Sequence, residues 1–110
     1  MKIRRIIMAA VTLMLLFHTG NLLNAQNMKK ELRNLSAFPV GDANVQYAKF
    51  FIGRSWLARL TQNKDLNCPV SNVTFEPGCR NNWHSHTGGQ LLIAVGGKGY
   101  YQEKGKAARV

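Results

Sequence analysis

The sequence predicts an all-β protein, a sandwich or barrel, preceded by a helical leader. Three observations point that way. Short strand-like runs recur with turn residues about every 8–12 positions. No helical periodicity is sustained after about residue 36. Glycine and proline cluster at the breaks between the runs, as in Pro77-Gly78, Gly88-Gly89 and Gly96-Gly97.

The elements follow in chain order. Lys2, Arg4 and Arg5 make a basic start, and Ile6 to Phe17 is apolar except for Thr12. That run is shorter than the ~20 apolar residues a spanning helix needs. With the exit Leu23 to Gln26 it has the parts of a secretory signal, residues 1–25, with the cut expected after Ala25. Leu23 is larger than the residue usual at that place, and an uncleaved anchor is the alternative reading. A polar leader, residues 26–37, follows as a frayed helix or disordered tract. Phe38 to Asp42 is turn chemistry. Phe50 to Thr61 alternates loosely, and Cys68 to Glu76 sets Val73 and Phe75 on one face with Asn72 and Thr74 on the other. Gln90 to Val95 reads as a strand covered on both faces, Gly96 to Gly99 as a hairpin, and Tyr100 onward as the returning strand. The 110 residues suit one domain at most.

Fifteen Lys and Arg against five Asp and Glu give a net charge of +10. Without residues 1–25 the remaining 85 carry 12 basic and five acidic side chains, net +7. An exported basic chain is not expected to meet nucleic acid. Its cations are scattered, so they read first as solubility and second as attraction for anionic ligands or surfaces. Cys68 and Cys79 flank an extended segment rising ~3.3 Å per residue, which holds them beyond the ~7 Å Cα separation a disulfide tolerates. Two free or intermolecular thiols are therefore expected.

The chemistry concentrates in Gly78 to Gln90, GCRNNWHSHTGGQ. His84 and His86 lie one residue apart, so on a strand both imidazoles look into the same space. Thr87-Gly88-Gly89 can reverse the chain, since glycine adopts positive φ at no steric cost. Gln90 would then face the histidines across the reversal. Three N and O donors converging there suit a divalent transition metal. A neutral amide in place of a carboxylate leaves the ion's charge uncompensated, which sharpens its Lewis acidity and loosens its retention. Taken alone, an H-x-H pair is as often two surface polar residues.

The spacing is more specific. Gly78, five residues, His84, one, His86, three, Gln90, six, Gly97 resembles the first motif of the cupin superfamily, G-x5-H-x-H-x3-E-x6-G, with Gln90 at the place of the glutamate. The resemblance covers residues 38–110 and extends to small single-domain cupins. It implies a double-stranded β-helix, or jelly roll, with His84, His86 and Gln90 as metal ligands. The glutamine variant resembles hydroxynitrile-lyase-like cupins and cupins found near carboxymuconolactone decarboxylases, whose His, His, Gln set binds manganese or iron. For this chain Mn, Fe, Zn, Ni and Co all remain open. The resemblance also suggests a homodimer.

One part of the family pattern is missing. The second motif supplies a further histidine on the returning strands, and no histidine follows His86; the other one, His18, lies in the leader. The barrel is therefore expected to be incomplete at its C-terminus, as a fragment, a chain completed by a partner strand, or a poorly folded remnant. Open edges would present unpaired backbone groups. The function expected is an exported metal-dependent small-molecule enzyme of lyase, decarboxylase or dioxygenase type. The alternatives are a non-catalytic small-ligand binder and an inactive fragment. No catalytic base is assignable and no stable membrane span is expected. Arg80, Trp83, Tyr100, Tyr101, Glu76 and Glu103 read as surface, wall or sheet residues rather than catalytic groups.

Overall fold

The computed structural model describes residues 20–110. The described residues divide into two units between Glu31 and Leu32. The expected signal segment falls mostly outside the described residues. Residues 20–35 are helical, so the polar leader is an ordered helix up to residue 35. Among the described residues no helix is long and apolar enough to cross a membrane.

The second unit is rich in short antiparallel strands. Strands β1 (Asp42–Ala43), β3 (Ser55–Arg59) and β4 (Ser71–Phe75) form one sheet in the order β1-β3-β4, and β2 (Phe51–Ile52) pairs with β5 (Arg80–Asn81). A single 3-10 turn, Ala48–Phe50, leads into β2. The β3–β4 hairpin carries the most pairing, with Ser55 opposite Phe75, Leu57 opposite Val73 and Arg59 opposite Ser71. No barrel closes among the described residues. The β-rich expectation therefore holds and the closed jelly roll is not seen.

The run Phe50 to Thr61 is not one strand. Gly53, at φ 95°, breaks it into β2 and β3, and a Cβ there would approach Cys79 Cα to 3.0 Å. A side chain is excluded by both the backbone conformation and the neighbouring chain. Gly41, at φ 79°, is tighter still, since a Cβ would overlap the Leu57 carbonyl. That approach lets β1 lie against β3 with Asp42 opposite Leu57.

The core is small and unusually polar. Val40 and Trp56 are its buried apolar members, at 2% and 6% exposure, beside buried Asn44, Ser55 and Asn72. Burying an amide is tolerable only when it is hydrogen-bonded. Asn44 donates its Nδ2 to Ser55 Oγ at 3.2 Å and its backbone N–H to Ser55 O at 2.9 Å, while its Oδ1 has no partner among the described residues. Asn72 donates its Nδ2 to Pro39 O at 2.9 Å. Asn72 is buried and Phe75 is exposed, because the Asn72 amide is needed to satisfy a carbonyl 33 residues away in sequence. Phe75 instead stacks obliquely on Phe51, with ring centroids 5.7 Å apart.

Three further expectations are corrected. Gln90 to Val95 forms no strand, and Leu91 and Ile93 are 86% and 72% exposed. The apolar run calls for a covered strand, but among the described residues no neighbouring strand supplies hydrogen bonds or cover. The returning strand reduces to one bridge, Tyr101 with Arg109, around a turn that includes Gly105. Trp83, expected as wall or core, is exposed.

The Asn72 bond makes a checkable prediction. Asn72→Ala strands the Pro39 carbonyl and should destabilise the fold by about 1–3 kcal/mol. Thr74→Val keeps that bond and should cost less. Thermal melts of the two variants should show the larger fall in Tm for Asn72→Ala.

Candidate functional site

The segment carrying the histidines is delivered by two joints. The first is a clamp at Arg54 and Glu76. Glu76 accepts the Arg54 backbone N–H on Oε1 at 2.7 Å and the guanidinium Nε on Oε2 at 2.8 Å. The Glu76 backbone N–H in turn donates to Arg54 O at 3.1 Å. Glu76 was expected to be solvated, yet its side chain is only 17% exposed. The Arg54 N–H bond and guanidinium hold its carboxyl below the ordinary glutamate range, against an opposing contribution from burial. No local sequence signal marks this pair, since the partners are 22 residues apart.

From the clamp the chain turns through Pro77-Gly78, closed by the Cys79 N–H donating to Glu76 O at 3.0 Å, with Gly78 at φ 81°. It then pairs as β5 with β2, Arg80 opposite Ile52 and Asn81 opposite Phe51. Arg80 is thus a sheet residue. Both cysteines are free, as expected. Burial pushes the Cys79 thiol up, and the Glu76 carboxylate adds to this while an Arg80 backbone contact opposes it. Cys79 therefore stays a protonated thiol and is a poor nucleophile.

The second joint is Asn82. Its backbone N–H donates to Phe50 O at 2.7 Å, and its side-chain Nδ2 donates to Lys49 O at 2.9 Å. Its own carbonyl lies 2.8 Å from His84 Nδ1. A carbonyl only accepts, so Nδ1 is the donor in this contact and Nε2 is turned away from it. Phe50 lies against the His84 ring, centroids 6.1 Å apart, and Lys49 Nζ sits 5.0 Å from the Phe50 ring centre.

Beyond Asn82 the backbone leaves the strand, but the imidazoles still meet. The rings of His84 and His86 are 5.1 Å apart by centroid and nearly perpendicular, at 79°. Thr87-Gly88-Gly89 makes the expected reversal, with Gly89 at φ 78° and its N–H donating to His86 O at 3.3 Å. Gln90 follows the turn and is exposed, and among the described residues no hydrogen bond or ring contact ties it to the imidazoles. Nor, among the described residues, do three His, Cys, Asp or Glu side chains gather as a metal-holding group. The 5.1 Å ring separation can be set against the spacing that a shared ion would impose. With metal–nitrogen bonds of about 2.0–2.1 Å, two rings on one metal lie about 4.5–5.2 Å apart by centroid.

These features define a β-rich chain presenting two adjacent imidazoles, one hydrogen-bonded through Nδ1 to a main-chain carbonyl. Compared with known proteins, a stretch of 37 residues is 51% identical to an (R)-mandelonitrile lyase of Granulicella tundricola. That stretch is 34% of this chain and 28% of the lyase, so the chain spans well under two thirds of that protein's length. No family profile matches the chain, and no solved structure matches it.

The clamp gives a pH prediction. Glu76 has a depressed carboxyl in the fold, so its contribution is present above the unfolded value of about 4.3 and is lost as pH falls through the lower folded value. At neutral pH Glu76→Gln should cost about 1 kcal/mol, limited by the half-exposed, solvent-screened guanidinium. Denaturant melts of the parent and Glu76→Gln should converge as pH drops below about 4.

Proposed function

We propose that this chain belongs to a metal-dependent small-molecule lyase of cupin type that cleaves a cyanohydrin to a carbonyl compound and hydrogen cyanide. The observation carrying the proposal is the His84–His86 pair, held in edge-to-face contact with His84 Nε2 left as a donor to a metal. The 37-residue likeness to an (R)-mandelonitrile lyase supports the substrate class. His84 and His86 would hold a divalent transition metal, one of Mn, Fe, Zn, Ni or Co, with the Gln90 amide oxygen as a further donor. Bound by neutral ligands, such an ion supplies Lewis acidity toward a hydroxyl, carbonyl or nitrile.

The chain's own residues add two properties. The Phe50 ring beside His84 gives an apolar surface for the organic part of the substrate. The Lys49 ammonium next to that ring supplies positive charge, which favours the departure of an anion such as cyanide. In the overall reaction the hydroxyl loses its proton, the carbon–cyanide bond breaks, and its electron pair leaves on cyanide, which takes a proton. The Cys79 thiol, held protonated, serves neither as base nor as nucleophile. The basic start and apolar run of residues 1–25 support an exported protein.

The test is metal content and lyase activity measured together. Purified parent should carry metal by elemental analysis and release aldehyde from mandelonitrile. His84→Ala should lose about nine tenths or more of both. Gln90→Glu should hold the ion longer against a chelator, since a hard cation favours a carboxylate. Full metal content and activity in His84→Ala would overturn the reading.

A further inference from the structure

The proposed metal site depends on His84 offering Nε2, and the structure shows what fixes that choice. An imidazole in water exchanges freely between its two neutral tautomers, and the hydrogen bond at one nitrogen decides which is held. Here the partner is the main-chain carbonyl of Asn82. That carbonyl is immobilised because Asn82 is bound twice to the segment before β2, through its N–H to Phe50 O and through its side-chain amide to Lys49 O. The same two residues present the Phe50 ring to His84 and the Lys49 ammonium to Phe50.

We infer that Asn82 is the positioning residue of this site: its side-chain amide, by gripping the Lys49 carbonyl, aims its own carbonyl at His84 Nδ1 and so presents Nε2 outward. The inference deepens the metal-site reading and rests on it only for its consequence in metal affinity. The N–H to Phe50 O belongs to the main chain and is kept in Asn82→Ala and Asn82→Asp, whereas the grip on Lys49 belongs to the side chain alone. Asn82 therefore acts through His84 without touching the ion, in the way that hydrogen-bond partners of metal-bound imidazoles tune affinity. A purely structural asparagine would alter stability and leave the His84 tautomer unchanged.

The experiment reads the tautomer in metal-free protein by nitrogen-15 NMR of the imidazoles at about pH 8, where an ordinary histidine is neutral. The parent should show His84 as the Nδ1–H tautomer. Asn82→Ala should shift it to a mixture, and Asn82→Asp, which keeps the size but loses the donor, should do the same. Mn²⁺ and Zn²⁺ titrations should then show affinity weakened about tenfold or more in both variants. If Asn82→Ala fails to fold, Asn82→Asp carries the test. An unchanged tautomer in a folded variant overturns the positioning role, whatever the metal does. A shifted tautomer in a chain whose parent binds neither metal upholds the positioning role and removes the metal reading.

Discussion

The site depends on one joint, the attachment of Asn82 to the backbone of Lys49 and Phe50. It lies where β5 ends and extends the β2–β5 pairing by one more hydrogen bond. Beyond it the chain runs without strand partners to the glycine reversal. The last firmly anchored residue before the imidazoles is thus also the residue whose carbonyl orients the first of them. Sheet pairing and imidazole orientation meet in one side chain and one peptide unit.

The joint is itself supported from behind. The Arg54–Glu76 clamp ties the corner between β2 and β3 to the corner between β4 and β5, so β2 ends and β5 begins near a common point. Gly53 permits that corner by its positive φ and its approach to Cys79. The wider unit is held less by apolar burial than by polar groups with specific partners: Asn44 with Ser55, and Asn72 with Pro39. Each such bond contributes modestly, but leaving a buried partner unmet is costly. A core of this kind specifies register strongly while adding little bulk stabilisation.

Much of this was legible in the sequence where the cause is local. The turns at Pro77-Gly78 and Thr87-Gly88-Gly89 follow from residues that take positive φ cheaply, and β4 follows from its β-branched and aromatic residues. The H-x-H spacing brought the two rings together even though the segment is not a regular strand. What was not legible depends on distant partners. The burial of Asn72 follows from a carbonyl at Pro39, the role of Glu76 from Arg54, and that of Asn82 from Lys49. Gln90 to Val95 failed as a strand for the same reason, since an apolar run states a need for cover without providing it.

That bare aliphatic stretch governs how the molecule behaves as a solute. Leu91, Leu92 and Ile93 stand in water with no charged residue among them, on a chain whose net positive charge otherwise keeps copies apart. Salts that screen the charge remove the repulsion, and those excluded from protein surfaces, sulfate among them, strengthen the attraction between the stretches. Colloidal lifetime is therefore set by the balance between a diffuse cationic field and one greasy ribbon five residues long, Leu91 to Val95.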